Sequence, residues 1–256
     1  MKILKYQKLT NNEYKIITDT HEYRLYDDII IEYGLLLKKE IDSKDMGTII
    51  KKNNSLKGYY LALKTLSWKM RCEKEIKELL KKKGFFESEI NYVLNRLNKE
   101  GYLNHETYIE AYIHDALNLN LKGELKIKKE LLDLGFKENE INKYLAKVDP
   151  EIYHYKIKNY LAKKLKVHKS SALEFKRKVK VDLIKKGFYK EDIENLLQDM
   201  KILDNEEELL KIITKLYYKY MKKDDLYTTT LKIKNYLYGK GYHNIDIESY
   251  LKKISS

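Results

Sequence analysis

Proline occurs once in this 256-residue chain and glycine ten times. So little punctuation argues against an all-β fold, whose turns draw on both residues, and it leaves room for long helices. Cysteine also occurs once, at Cys72, so neither an intramolecular disulfide nor a thiolate zinc site can be assembled. No segment approaches the roughly 18 apolar residues of a membrane span, and the N-terminus lacks an apolar signal-peptide core. The expectation is a cytoplasmic protein without a membrane partner. Glycine-rich phosphate loops are missing because the glycines are dispersed. The histidines, His21, His105, His114, His154, His168 and His243, show no HExxH or paired-ligand spacing, and ordinary surface or core roles account for them.

Catalytic groups fare no better. Asp224-Asp225 and Glu206–Glu208 fall at helix starts, where acids interact well with the helix dipole. Cys72 precedes Glu73-Lys74-Glu75 and reads as a helix N-cap; a nucleophile would need a matched histidine–acid pair, which the sequence does not offer. No catalytic residue, metal or cofactor is expected. The chain reads as one that binds rather than turns over a substrate.

What is present is charge and repetition. Charged residues make up 36% and hydrophobic ones 43%, enough apolar material to fold. The net charge of +13 points to a polyanionic partner. Its distribution is uneven. Residues 1–57 carry 11 basic and 9 acidic side chains, and residues 152–190 carry 12 lysines and Arg177 against only Glu174 and Asp182. The remainder is balanced, with 28 of each sign. The excess is local.

Glycine recurs at Gly84, Gly135, Gly187 and Gly241, at intervals of 51, 52 and 54 residues. An aromatic follows each one: Phe85, Phe136, Phe188 and Tyr242. Leucine stands four residues before (Leu80, Leu131, Leu183, Leu237), and a β-branched residue eight before (Ile76, Ile127, Val179, Ile233). Isoleucine follows six residues after (Ile90, Ile141, Ile193, Ile247), and leucine ten after (Leu94, Leu145, Leu197, Leu251). Positions four apart share one helical face, and a glycine between two such stripes serves as a left-handed helix end. Each unit therefore contains a helix, a glycine corner and a second helix. A further helical stretch lies upstream of each pair, over 57–70, 104–119, 149–168 and 204–222, with Pro150 in the first turn of the third.

The reading is a mainly α chain of four tandem three-helix repeats, 57–103, 104–148, 149–203 and 204–256, in an elongated curved array. Residues 1–56 form a small α/β appendage. In it Tyr14–Ile17 and Glu22–Leu25 flank a Thr-Asp-Thr-His turn as a β-hairpin, followed by helical stretches near 27–33 and 45–53.

The basic stretch places Lys156, Lys158, Lys163, Lys164, Lys166, Lys176, Arg177, Lys178 and Lys180 on two consecutive helices of the third repeat. It reads as an anion-binding surface; a solvated lysine face is the plainer alternative. Among the 24 tyrosines most fall on apolar stripes, but an exposed member such as Tyr155 or Tyr160 could stack on a single-stranded base.

The run Ala62-Leu63-Lys64-Thr65-Leu66-Ser67-Trp68-Lys69-Met70-Arg71-Cys72-Glu73-Lys74-Glu75 resembles the opening signature of the RecX family, regulators of RecA recombinase. The likeness continues through Leu79-Leu80, Gly84-Phe85, Ile90, Leu94, Leu97 and Gly101-Tyr102-Leu103-Asn104. Tyr108, Tyr112-Ile113, Gly123, Ile127, Leu131 and Gly135-Phe136 extend it further. It is specific over about 58–146, looser to the C-terminus, and residues 1–57 resemble the N-terminal extension of longer members. Cys72 departs from the serine usual there, which would cap the next helix better, while Glu75 keeps the other half of the capping box. The resemblance implies a non-enzymatic modulator that binds RecA, especially RecA polymerised on single-stranded DNA, and usually inhibits it; a monomer is expected, with Trp68, Lys69 and Arg71 as candidate RecA contacts. A general helical-repeat nucleic-acid binder without RecA specificity is the alternative.

Overall fold

The computed structural model describes residues 1–9, 12–243 and 245–255. It is mostly helical, with thirteen α-helices among the described residues and one small antiparallel sheet at the N-terminus. None of these helices is long and apolar enough to cross a membrane. The chain divides into two compact units, 1–111 with 134–136, and 112–133 with 137–256.

The first unit opens with strands β1 (Ile3–Lys8), β2 (Glu13–Thr18) and β3 (Glu22–Tyr26), paired in that order. The expected hairpin is β2–β3, with Tyr14 opposite Leu25 and Ile17 opposite Glu22. β1 is an addition to that expectation. Four of its six residues are exposed and none is buried, so it carries little of the alternation by which a strand is recognised. Ile16 and Leu25 from the sheet pack with Ile29 and Ile30 on α1 (Asp27–Glu32) and with Leu35. Met46, Ile49 and Leu56 of α2 (Ser43–Leu66) complete that core.

The stretches expected near 45–53 and over 57–70 are one continuous 24-residue helix, α2, which ends at Leu66. The boundary drawn between residues 56 and 57 falls inside it. The polar run Asn53-Asn54-Ser55 looks like a break, yet it serves docking. The Asn53 side chain accepts from the Tyr26 amide (2.9 Å) and donates to the Arg24 carbonyl (3.0 Å), tying α2 to β3. Three residues beyond Leu56, Tyr59 and then Ala62 enter a second core with Ile76 and Leu80 of α3 (Glu73–Lys82) and Ile90, Val93, Leu94 and Leu97 of α4 (Glu87–Lys99).

The helices then continue in threes. α5 (His105–Asn118), α6 (Glu124–Asp133) and α7 (Glu138–Leu145) are followed by α8 (Pro150–Leu165), α9 (Ala172–Lys185) and α10 (Lys190–Gln198). Last come α11 (Glu206–Tyr220), α12 (Leu226–Gly239) and α13 (Ile247–Ser255). The four spaced glycines all take left-handed backbone, with φ of +82°, +93°, +83° and +81°. At Gly84 the chain shows why. The Phe85 amide reaches back to the Leu80 carbonyl at 3.2 Å and the Gly84 amide to that of Lys81 at 3.0 Å, a Schellman ending that satisfies the last helical carbonyls. Ile76, Leu80, Ile127, Leu131, Leu183, Ile233 and Leu237 are wholly buried, as are Ile90, Ile141 and Ile193. Each such burial stabilises by roughly 1.5–3 kcal/mol relative to exposure.

Each later corner also packs against the start of the preceding middle helix. In the first unit the Gly135–Phe136 corner lies beside Cys72 and Glu73, with Phe136 stacked on Tyr108 at 5.3 Å. In the second unit the Gly123 amide donates to the Lys186 carbonyl at 2.8 Å, and that of Leu125 to the Gly187 carbonyl at 3.0 Å. One repeat later the Ser171 hydroxyl donates to the Lys240 carbonyl at 2.7 Å. The same joint thus recurs with three different residues, Cys72, Gly123 and Ser171, at its entry.

Candidate nucleic-acid interface

α8 starts where Asp149 accepts from the Glu151 amide (2.9 Å) and Pro150 supplies a first-turn residue that needs no hydrogen bond. Tyr153, Ile157 and Leu161 are buried at four-residue spacing, which turns Lys158, Lys163, Lys164 and Lys166 to the exposed side. α9 is capped by Ser171, whose hydroxyl oxygen accepts from the Glu174 amide (3.1 Å). Phe175, Val179 and Leu183 form its buried stripe, leaving Arg177 and Lys178 exposed and Lys176 and Lys180 half-buried.

Between the two helices opens a groove of about 410 Å³ lined by Tyr160, Lys164, Lys169, Phe175, Lys178 and Asp182, among others. The Tyr160 hydroxyl donates to Asp182; burial, and then that carboxylate, push its phenol well above the ordinary range. The Lys164 ammonium sits 5.4 Å from the centre of the Tyr160 ring. Tyr160 is therefore half-buried and tied down, whereas Tyr155 is 67% exposed and presents its ring to solvent.

The nine basic residues singled out in the sequence are not equivalent. Lys156 is half-buried and donates to the carbonyls of Leu117 and Asn120 (2.7 Å to the latter), and burial lowers its pKa. It satisfies orphan carbonyls at the end of α5 and is removed from the anion-binding set. Lys178 pairs with Glu174 at 3.0 Å and Lys180 with Glu194, which weakens their attraction for an outside anion. Lys158, Lys163, Lys164, Lys166, Lys176 and Arg177 have no ion pair among the described residues, and Lys169, which lies outside the nine, joins them beside the groove. Uncompensated cations on one pair of helices are the arrangement that exchanges condensed counterions for protein contacts on a phosphate backbone.

Trp68, Lys69 and Arg71 lie in the link between α2 and α3. Trp68 is 82% exposed, with exposed Lys69 and Met70 beside it. Arg71 is different: its Nη1 donates to Glu75 at 2.8 Å. Glu75 also accepts from the Cys72 amide and the Tyr108 hydroxyl, both at 3.0 Å. Although burial works the other way, those three donors hold the Glu75 carboxyl below its usual range. Arg71 thus anchors the start of α3, while Trp68 and Lys69 are left exposed in this link.

A second cation cluster is not evident from the sequence. The fourth repeat carries nearly equal numbers of acids and bases, but they are segregated, with Glu206, Glu207 and Glu208 in the first turn of α11, Lys215 and Lys219 toward its other end, and Lys222 and Lys223 in the turn that follows. Those lysines border a groove of about 630 Å³. Four lysines between positions 215 and 223 with no acid among them are the available signal; counting charge over the whole repeat hides it.

The chain is similar to known proteins over most of its length. The family model for the first three-helix domain of RecX matches residues 59–97. The regulatory protein RecX of Halalkalibacterium halodurans is 32% identical over 255 residues, covering 96% of each chain. That of Bacillus cereus strain B4264 is 32% identical over 258 residues, covering 96% of this chain and 94% of its own. A crystal structure of regulatory protein RecX superposes with a TM-score of 0.65 at 24% identity, over 78% of this chain and all of that one. The crystal structure of RecX from Lactobacillus salivarius gives 0.51 at 26%, over 58% and 97%.

Proposed function

Because this chain belongs to the RecX family of regulatory proteins, we propose that it binds RecA recombinase assembled on single-stranded DNA and restrains its recombination activity without catalysing a reaction. The observation that carries this reading is the row of cations without an ion pair on α8 and α9 and in the link between them, Lys158, Lys163, Lys164, Lys166, Lys169, Lys176 and Arg177. The repeated three-helix order supports it as well, because tandem modules meet a long partner repeat by repeat. In this reading the basic helices meet DNA phosphate or acidic RecA surface, and Trp68 with Lys69 contributes a protein contact. Exposed aromatic residues flanked by cations are typical anchors at such interfaces.

The exposed Tyr155 beside the same lysines favours a second reading, a nucleic-acid binder that acts by charge and stacking alone. Co-sedimentation with RecA–DNA filaments, against naked single-stranded DNA at the same salt, separates the two. The first reading expects filament binding to exceed naked-DNA binding and strand exchange to slow. Equal binding to both, with strand exchange unaffected, supports the second.

A further inference from the structure

We propose that the groove between α11 and α12 in the fourth repeat is a second binding site for single-stranded nucleic acid, gripping phosphates with Lys215, Lys219, Lys222 and Lys223 and stacking a base on Tyr218. This inference rests on the nucleic-acid part of the proposed function and extends it to a repeat whose summed charge gives no hint of it. Lys215, Tyr218 and Lys219 occupy positions i, i+3 and i+4 on one face of α11, and Lys222 and Lys223 follow in the turn after its end at Tyr220. All four lysines are exposed and have no ion pair among the described residues. The one carboxylate in the groove, Asp224, is already taken by Lys232 at 2.7 Å. The lining is therefore strongly positive.

Helix-dipole preference does not explain so many. The C-terminus of a helix carries about half a negative charge, felt only within its last turn, whereas Lys215 lies more than a turn inside α11. Tyr218 is 58% exposed, a large ring turned outward between two lysines. An acidic protein surface would be served by the cations alone; a strand of phosphates with unstacked bases uses the ring as well.

The test uses the full chain and labelled oligothymidylate, followed by fluorescence anisotropy across a salt series. Replacing Lys215, Lys219, Lys222 and Lys223 by glutamine should weaken binding and lower the log–log salt slope by about 0.7 for each phosphate released from its lysine. Tyr218→Ala should weaken binding about fivefold or more with the slope unchanged. Lys219→Gln with Lys222→Gln, a smaller change, gives half the slope effect and serves if the quadruple variant loses helical signal. A parallel variant, Lys163, Lys166, Lys176 and Arg177 to glutamine, distinguishes the two claims. If it loses affinity while the fourth-repeat variants keep theirs, this inference fails alone; if neither set changes binding, the nucleic-acid reading fails with it. Unchanged oligonucleotide affinity with diminished filament binding would assign the groove to an acidic protein surface and overturn the proposal.

Discussion

Gly123 and Gly187 approach so closely that neither can carry a side chain: a Cβ on Gly123 would stand 2.3 Å from the Gly187 carbonyl, and one on Gly187 2.3 Å from the Lys126 amide. The contact joins the start of α6 to the corner after α9. Gly187 also has φ of +83°, and Gly84 shares that left-handed backbone without any neighbour within 4 Å of its missing Cβ. Gly84→Ala should therefore cost about 1–2 kcal/mol for left-handed backbone alone, and Gly187→Ala distinctly more. Gly123→Ala should destabilise as well, although its own backbone does not require glycine. Urea unfolding of the three variants checks the order. Equal losses at Gly84 and Gly187 would remove the joint.

The Cys72 thiol is 4% exposed, and burial pushes its pKa up. Thiolate is the reactive species, so Cys72 should resist alkylation at pH 8 in the folded protein and react at the rate of a free thiol once urea unfolds the chain. Rapid labelling of the native protein would contradict the packing at the entry to α3.

His154 lies between Glu151 (3.2 Å) and Asp192 (3.3 Å). The Glu151 contact, opposed by partial burial and aided by Asp192, raises its pKa. A raised folded value means protonation favours the native state. The stabilisation is complete below the unfolded value of about 6.5 and fades as pH rises through the folded one. Thermal unfolding of His154→Gln against the parent should show a deficit at pH 5.5 that closes by pH 8.5. A deficit independent of pH would show that the ring acts by packing alone.

Much of this fold is legible in the chain because one physical device is used four times. A glycine that must be left-handed, an aromatic after it and leucines one turn away leave a periodic trace. The same trace does not report continuity: Asn53 interrupts the apolar pattern of α2, yet its amide bonds the backbone of β3 and the helix runs on. β1 is illegible because Ile3 and Tyr6, which pack against the core, stand three residues apart rather than alternating, and sheet pairing holds the exposed residues between them. Lysines in a row look alike in sequence, but Lys156 sits over the open end of α5 and its stem bends inward. The cluster around the end of α11 is hidden by summation, since the acids of the first turn offset its lysines in any count over the whole repeat.

Trp68 and Lys69 are exposed in the link between α2 and α3, and the proposed function makes them a protein contact. Their joint replacement by alanine should leave the unfolding free energy within the range of ordinary surface substitutions, about 0.5 kcal/mol, and weaken association with RecA filaments. Arg71→Ala should instead destabilise, because it strips Glu75 of a charged donor. A large stability loss at Trp68 with filament binding intact would reverse these roles.

In the proposed function, cations without an ion pair on α8, on α9 and in the link between them carry the interaction with the DNA-bearing filament. The most direct measurement replaces Lys163, Lys166, Lys176 and Arg177 by glutamine and follows co-sedimentation with RecA–DNA filaments across a salt series. A control replaces Lys126, Lys128 and Lys129, of which Lys128 is paired with Glu138 at 2.7 Å. The account predicts that the first variant binds more weakly, with a log–log slope smaller by about 0.7 for each phosphate it no longer neutralises, while the control binds like the parent. Unchanged affinity and slope in the first variant, with its helical signal intact, would contradict it.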